Sequence, residues 1–348
     1  MNKEYRITMN NRLSWADSCR ILATLGVIII HACVGNFSKF GTIPTYEWLS
    51  VNLLDSLVRV SVPLFFMLSG AFILKTDGSY ISLKSVFKRT ARIAIPLFVW
   101  SIGYLAYISH YTGQGIDVLS VFKKPSMYHL WFVYSLIGVY LLLPLLQSIF
   151  NALVSRKDYQ IYFLVLWFTI NCLPTFIYMP EINLMHLTGF LGHAGYFLIG
   201  GLLFSYLSSH KELGKPQTML TFIVFVGALA STFLITWFIS DKANRPLETA
   251  YSNFCPTIFI ASVSLFVLFS QLKTKEKTAK VLNWISDRTF IIYFVHVLVL
   301  EKVTHFVTGH IHLPAMISII SISLITFTIC LVIAAILRLL PKSKMILG

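Results

Sequence analysis

Residues 14–31 read SWADSCRILATLGVIIIH and join a long apolar run to three ionisable side chains. The apolar run continues to residue 36, which is about the length that one helix needs to cross a membrane. Ionisable groups inside a membrane span are costly, so they indicate a functional position. On a helix, Arg20 and His31 lie within about 20° of the same face, and His31 lies roughly 16 Å farther along the axis.

Asp17 lies on the same stripe of the helix, about 40° from His31. The stripe therefore carries an acid and a base at one end of the span and a titratable imidazole near the middle of the membrane. Two interpretations are open. Either Asp17 and Arg20 anchor the helix end while His31 bonds to a neighbouring helix, or the three side chains form a catalytic site. Alignment of a mid-membrane histidine with two charges favours the catalytic interpretation.

The 348-residue chain is too apolar for a soluble globular domain, with 56% hydrophobic residues, 12% charged residues and a mean hydropathy of +0.75. Charged residues make up about a quarter of an ordinary soluble protein. Membrane-spanning segments are predicted at 16–36, 50–74, 93–112, 129–150, 161–179, 187–206, 218–239, 253–271, 287–307 and 313–338. We therefore predict an all-α integral membrane protein with about ten transmembrane helices in a single membrane domain.

The net charge of +14 comes mainly from basic clusters in alternate gaps between the apolar segments. This alternation follows the positive-inside rule, so the clusters predict the cytoplasmic side of a membrane. An even number of spans then places both termini in the cytoplasm. Because topology explains the charge, nucleic acid is disfavoured as a partner, and membrane lipid is expected to surround the chain.

The second predicted span contains DSLVRVSVPLFFMLSG at 55–70. Asp55 and Arg59 are four residues apart on a helix, so the two charges can neutralise each other on one face. Pro63 cannot donate a backbone hydrogen bond, which predicts a kink in this helix, and Gly70 permits close contact between helices. A structural ion pair and a substrate-binding arginine explain Arg59 about equally well.

Two further basic positions lie at predicted cytoplasmic helix ends. Arg89 and Arg92 are one helical turn apart, which suits phosphate binding, although ordinary positive-inside charge also explains them. Arg288 precedes the ninth span, and His296 lies about 12 Å deeper on the same helix. His296 is either a second catalytic group, a ligand contact or a core histidine.

No metal site and no permanently bound cofactor are predicted from the sequence. The five cysteines are scattered through apolar segments without a CxxC pair, so they are expected to be small core residues. The sequence contains no phosphate-binding loop, nucleophile-elbow or HExxH motif. Nucleophilic, nucleotide-hydrolysing and zinc-peptidase chemistry of those kinds therefore has no support.

Taken together, these segments resemble acyltransferase family 3, a family of membrane O-acyltransferases. The resemblance covers about residues 13–338, and we take residues 1–348 as one domain of this kind. Five motifs carry the resemblance. They are Arg20 and His31, spaced as Arg-x10-His, then RVSVPLFFMLSG (59–70), the Arg89–Arg92 pair, HLWFVYSLIGVY (129–140) and TFIIYFVH (289–296). Within the family, the chain is most similar to the branch that acetylates enterobacterial common antigen.

The resemblance implies a bacterial inner-membrane enzyme that moves an acetyl group from cytoplasmic acetyl-CoA to a sugar hydroxyl of a cell-surface glycan or lipid-linked sugar. It implies that His31 and Arg20 are catalytic, and we place Asp17 with them because it can fix the position of Arg20. The arginines expected to contact acetyl-CoA are Arg89, Arg92, Arg59 and Arg288, and Arg59 or Arg288 can also stabilise an oxyanion. The residues expected to contact the acceptor are His129, Trp131 and His296.

A transporter or flippase without covalent chemistry is the alternative function. Its substrate would be lipid-linked or small, and Asp55, Arg59 and His296 would then line the pathway. A third interpretation keeps the acyl transfer but changes the acceptor to a lipid, an antibiotic or a small metabolite, or the donor to succinyl-CoA.

Overall fold

A computed structural model describes residues 3–113, 115–175, 187–209 and 212–348, with side chains from residue 14 onward and, after the second gap, from residue 192. This part of the chain is helical and contains no β-strand. The helices are α1 Lys3–Phe37, α2 Thr45–Val58, α3 Ser61–Ile73, α4 Leu83–Thr112, α5 Trp131–Leu141, α6 Leu143–Ser155, α7 Lys157–Asn171, α8 Leu187–Ser209, α9 Lys215–Ala243, α10 Pro256–Ser270, α11 Glu276–Ser286, α12 Thr289–His310, α13 Ala315–Leu337 and α14 Ser343–Ile346.

Each of the ten predicted apolar segments overlaps a helix of this bundle. Among the described residues, seven helical segments are long and apolar enough to cross a membrane, and the bent pair α5–α6 makes an eighth. Helix α7 has 15 residues, fewer than one span needs, and residues 176–179 of its predicted segment lie outside the described residues. The all-α membrane class is confirmed, whereas the number ten stays a prediction.

Helix α1 lies at the centre of the bundle and packs against α2, α3 and α10 to α13. Its buried face includes Trp15, Ala16, Cys19 and Ala23, and the small residues let neighbouring helices approach. Trp15 packs edge-to-face on Phe266, with 5.2 Å between ring centroids. The central position of α1 explains how one helix can present Arg20 and His31 to two different parts of the interior.

Proline interrupts two of the membrane segments. The break between α2 and α3 falls at Arg59, the residue whose carbonyl Pro63 cannot bond because proline lacks an N–H. The helical hydrogen bonding is therefore interrupted at the charged residue itself, within a segment, Thr45–Ile73, that counts as one membrane span, and the kink stays a prediction. A second break of 68° separates α5 from α6, where Pro144 lies in the first turn of α6. Helix α4 continues through Pro96 without interruption.

A close helix–helix contact joins α3 to α8 through glycine residues. A Cβ atom at Gly70 would lie 1.7 Å from the carbonyl oxygen of Phe197, and one at Gly200 would lie 2.0 Å from the carbonyl oxygen of Met67. These are backbone atoms, so a side chain at either position would push the two helices apart. Glycine is therefore required at both positions to keep α3 in place.

We expect Gly70→Ala to destabilise the protein by about 1–3 kcal/mol, because the added methyl group overpacks a rigid contact. Gly227→Ala, in α9, is the matched control because nothing lies within 4 Å of its added Cβ. The control should change stability by no more than about 1 kcal/mol, since alanine is the better helix former. Thermal unfolding of both variants in detergent measures the difference, and equal stabilities would contradict the close contact.

Candidate active site

The start of α1, the α11–α12 junction and the end of α13 lie at one end of the bundle, which we call the basic end. Arg20 donates hydrogen bonds from Nη1 to Ser286 Oγ (2.8 Å) and to Asp17 Oδ1 (3.3 Å). Asn283 donates to the other carboxylate oxygen of Asp17 at 3.4 Å. Asp17 is buried, so it restrains Arg20 from one side while Ser286 restrains it from another.

Arg20 lines a cavity of about 260 Å³, which we call the arginine cavity. Its polar lining consists of Arg20, Ser69, Tyr140, Thr289 and Tyr293. The rest of the wall is apolar. A volume of this size is below the roughly 300–1,000 Å³ of pockets that enclose a drug-sized ligand. It suits a narrow chain better than a whole nucleotide.

His31 lines a second and larger cavity of about 790 Å³, which we call the histidine cavity. Its polar lining includes His31, Arg59, Tyr128, His129, Glu248 and Asn253. Several of these residues come from the loops before α5 and α10. Since those loops lie at the end of the bundle remote from Arg20, the histidine cavity belongs to the opposite half of the molecule.

Three histidines from three different segments converge beside the histidine cavity. The ring centroids of His31 and His296 are 5.4 Å apart in a stacked arrangement, and those of His129 and His296 are 4.9 Å apart. His31 and His129 are separated by 6.5 Å. Among the described residues, no group of His, Cys, Asp or Glu has the geometry to hold a metal ion.

The hydrogen bonds of these histidines define which ring nitrogens can act as bases. His296 Nδ1 lies 2.6 Å from the carbonyl oxygen of Tyr293. A carbonyl only accepts, so Nδ1 carries the hydrogen and Nε2 has the free lone pair. Within the described part of the chain, neither His296 Nε2 nor either ring nitrogen of His129 has a partner, and both residues are buried. Three buried hydrogen-bonding atoms of this cluster therefore lie without a partner among the described residues.

Arg59 lies in the histidine cavity and not in the arginine cavity. Two of its nitrogens form a bidentate ion pair with Asp55, at 2.9 and 2.6 Å. The guanidinium carbon lies 4.0 Å from the ring centroid of Tyr251, whose hydroxyl donates to Asn52 Oδ1 at 2.5 Å. These contacts hold the Arg59 guanidinium beside the histidine cavity, at the break between α2 and α3. They use its Nε and Nη2 atoms and not Nη1.

The other arginines singled out in the sequence lie at the basic end. Arg89 is half-buried and donates to Ser85 Oγ at 3.3 Å, whereas Arg92 is exposed. Arg288 is half-buried; its guanidinium lies over the Trp284 ring at 3.9 Å. Neither Arg89, Arg92 nor Arg288 lines the arginine cavity, so they surround the basic end outside it.

Two of the three expected acceptor contacts, His129 and Trp131, line the histidine cavity. His296 is buried behind the cavity wall and stacks on His31 without lining the cavity. Trp131 is 38% exposed and Tyr128 is 56% exposed, so both are open to a ligand that enters from this end.

Three residues that line the histidine cavity were not predicted from the sequence to do so. They are Tyr293, Glu248 and Tyr251. Tyr293 lies three residues before His296 on α12, so helical spacing could have placed both on one face. Its hydroxyl donates to the backbone carbonyl of His129. Glu248 precedes a short helical turn, Thr249–Tyr251, and no local signal connects that turn to α1.

An all-helical membrane bundle in which one central helix presents an arginine to one cavity and a histidine to another has the features of a membrane enzyme. Comparison with family models agrees, because the acyltransferase domain model (Acyl_transf_3) matches residues 13–335. That match covers nearly the whole chain. The chain therefore belongs to the membrane acyltransferase family 3. Comparison with curated proteins and with solved structures finds no match.

We expect Asp55→Leu to destabilise the protein by about 3–5 kcal/mol, because it leaves the Arg59 cation without its buried partner. The double variant Asp55→Leu/Arg59→Met should recover most of that loss, since it removes both charges. Asp158→Ala is the control, because its ion pair with Arg156 is exposed, and it should leave the unfolding temperature unchanged. A single Asp55→Leu variant as stable as the control would contradict the structural role of the pair.

Proposed function

We propose that the protein is a membrane O-acetyltransferase that moves an acetyl group from cytoplasmic acetyl-CoA to a sugar hydroxyl of a cell-surface glycan. Enterobacterial common antigen and O-antigen are glycans of the proposed class. The observation that carries this proposal is the pair of cavities on opposite halves of the bundle. One contains Arg20 and the other His31, and both residues belong to α1. Each substrate can thus arrive from its own side of the membrane.

The donor is proposed to enter from the basic end, which we place in the cytoplasm of a bacterial inner-membrane protein, together with both termini. The arginine cavity accommodates the narrow acyl-pantetheine arm, and Arg20 contacts that arm. The phosphates of coenzyme A remain outside, where Arg89, Arg92 and Arg288 supply positive charge. Arginine suits these contacts because its planar guanidinium binds phosphate oxygens in pairs.

The acceptor is proposed to bind in the histidine cavity from the opposite side. Exposed aromatic side chains such as Trp131 and Tyr128 present flat faces on which a sugar ring can pack, and Glu248 and Asn253 can bond to hydroxyl groups. The unpartnered nitrogens of His129, which lines the cavity, are suitable for orienting the reacting hydroxyl next to His31, and His296 is proposed to support His31 through its stacking contact.

Transfer is proposed to proceed with His31 as general base. The imidazole takes the proton of the sugar hydroxyl while the oxygen attacks the thioester carbonyl carbon, forming the new C–O bond. The C–S bond then breaks, and the imidazolium returns the proton to the sulfur of coenzyme A. Attack on the thioester by His31 itself, with transfer of the acetyl group in a second step, uses the same contacts.

Arg59 is the residue proposed to stabilise the oxyanion that forms on the carbonyl. It lies in the histidine cavity with His31 and is held by Asp55 and Tyr251. A fixed cation in a water-poor site lowers the energy of a developing negative charge without having to reorient. Arg288 lies at the basic end and is therefore proposed to contact only the donor. Asp17 is proposed to position Arg20.

A transporter or flippase is the second candidate, and the two opposed cavities are the observation that favours it. Movement of a lipid-linked substrate between them would need no covalent step. Labelled acetyl-CoA discriminates between the two functions, because transfer of the label to a glycan requires the enzyme. Passage of a labelled substrate into sealed vesicles without acetyl-CoA would favour the transporter.

We expect cells that lack the gene, and cells that carry His31→Ala, to lose the acetyl mass increment on their surface glycans. Loss of a general base lowers the rate by about 10²- to 10⁴-fold. Mass spectrometry of the glycans makes this measurement. The matched control is His310→Ala, which removes an exposed histidine at the end of α12 and should leave acetylation unchanged.

A normally inserted His31→Ala variant with wild-type acetylation would contradict the proposed mechanism. An unchanged glycan profile in cells without the gene would instead contradict the glycan acceptor. That result would favour a lipid, an antibiotic or a small metabolite as the acceptor, or succinyl-CoA as the donor.

Arg89→Ala is expected to raise the KM for acetyl-CoA by roughly tenfold or more, because a charge-assisted hydrogen bond contributes about 1.5–3 kcal/mol. The same variant should leave the KM for S-acetylpantetheine unchanged, since that donor lacks the phosphates. Arg156→Ala is the control, as Arg156 is an exposed arginine of the same end that pairs with Asp158. Equal effects on both donors would contradict phosphate binding by Arg89.

A further inference from the structure

Three aromatic residues line both the arginine cavity and the histidine cavity. They are Phe65 of α3, Phe132 of α5 and Tyr293 of α12. The Phe65 and Phe132 ring centroids are 5.6 Å apart, and those of Phe132 and Tyr293 are 5.5 Å apart. A side chain with one face in each cavity forms the wall between them. We call these three residues the aromatic partition.

Two members of the aromatic partition are held firmly in place. Tyr293 is buried and donates its hydroxyl hydrogen bond to the His129 carbonyl. Phe132 is 7% exposed and packs edge-to-face on Phe66, with 5.1 Å between centroids. Phe65 is only partly buried and lies in the second turn of α3, shortly after the break at Arg59. Passage between the cavities is therefore narrow, and Phe65 is its least constrained side.

We propose that the aromatic partition selects the acyl group by length. This inference rests on the proposed function, because it assumes that a thioester enters the arginine cavity and reacts beside His31. The carbonyl carbon of a short acyl group can reach the plane of the partition with only a methyl group beyond it. A longer chain has to thread its extra methylene groups between rings that are packed on Phe66 and anchored to His129 before its carbonyl carbon reaches that plane. Phe65 and Phe132 are thus specificity-determining residues.

The aromatic partition also separates the donor thioester from water in the histidine cavity. A thioester held behind three aromatic rings meets His31 and the acceptor hydroxyl only at the narrow passage. Removing one ring should therefore both lengthen the accepted acyl chain and connect the two cavities. These two consequences can be measured independently of each other.

The first experiment compares acetyl-CoA with butyryl-CoA at equal concentration. Membrane vesicles carry the full-length chain and the host's surface glycans, and mass spectrometry counts the acyl groups transferred. We expect Phe132→Ala and Phe65→Ala to raise the butyryl-to-acetyl ratio at least about tenfold, because one methylene in a tight apolar site changes selectivity by roughly 10- to 200-fold. Phe132→Leu serves where the alanine variant fails to insert, with a smaller rise in the same direction.

Phe290→Leu is the matched control, because Phe290 lines the arginine cavity without lining the histidine cavity. It enlarges the donor site but leaves the partition intact, so the butyryl-to-acetyl ratio should stay at the wild-type value. Active partition variants with a wild-type ratio would overturn the proposal. A similar rise in Phe290→Leu would do so as well, since donor-cavity volume alone would then set the selectivity.

The second experiment does not depend on catalysis. Ser69 lines only the arginine cavity, so Ser69→Cys reports whether a charged, membrane-impermeant methanethiosulfonate can reach that cavity from the periplasmic side. We expect no labelling with the partition intact and clear labelling when Phe132→Ala is added. The parent chain controls for its five native cysteines, which are buried.

Equal labelling of Ser69→Cys with and without Phe132→Ala would overturn the partition. In a different outcome, the parent chain transfers no acetyl group while Ser69→Cys is labelled only when Phe132→Ala is present. That result would refute the proposed function but support the partition as a barrier between the cavities. Failure of the proposed function and failure of the partition are therefore distinguishable.

Discussion

A charge or hydrogen-bonding group in the interior of a membrane must either find a partner or face a cavity, and this constraint organises the whole bundle. Asp55 and Arg59 satisfy it by pairing with each other at the proline-induced break between α2 and α3. His31 and His129 satisfy it differently, by lining the histidine cavity. Other buried polar side chains, such as Gln147 and Thr232, are satisfied by hydrogen bonds within the bundle.

The central helix α1 connects two chemically different regions of that interior. Arg20 belongs to a hydrogen-bonded cluster with Asp17 and Ser286 at the basic end. His31 lies three turns away, roughly 16 Å along the helix axis, in the half that contains Arg59. One rigid helix thus fixes the spacing between the arginine cavity and the histidine cavity.

Local rules predicted a large part of this arrangement. Hydropathy located the helical segments, the i, i+4 spacing placed Asp55 beside Arg59, and Pro63 indicated the break. The same rules put Arg20 and His31 on one face of α1. These features depend on residues that are neighbours in the chain, so spacing and side-chain chemistry are sufficient. The number of membrane crossings is harder to predict from the sequence, because α7 is short and the α5–α6 pair is sharply bent.

By itself, the sequence determined that this is an all-helical membrane protein of the acyltransferase type, with its ionisable residues on particular helix faces. Only the tertiary structure decided which faces meet. It placed His129 and His296 beside His31, Arg59 at the histidine cavity, and Phe132 between the two cavities. The physical reason is that hydrophobic periodicity specifies which side of a helix is buried, whereas the partner of that side depends on packing between segments far apart in the chain.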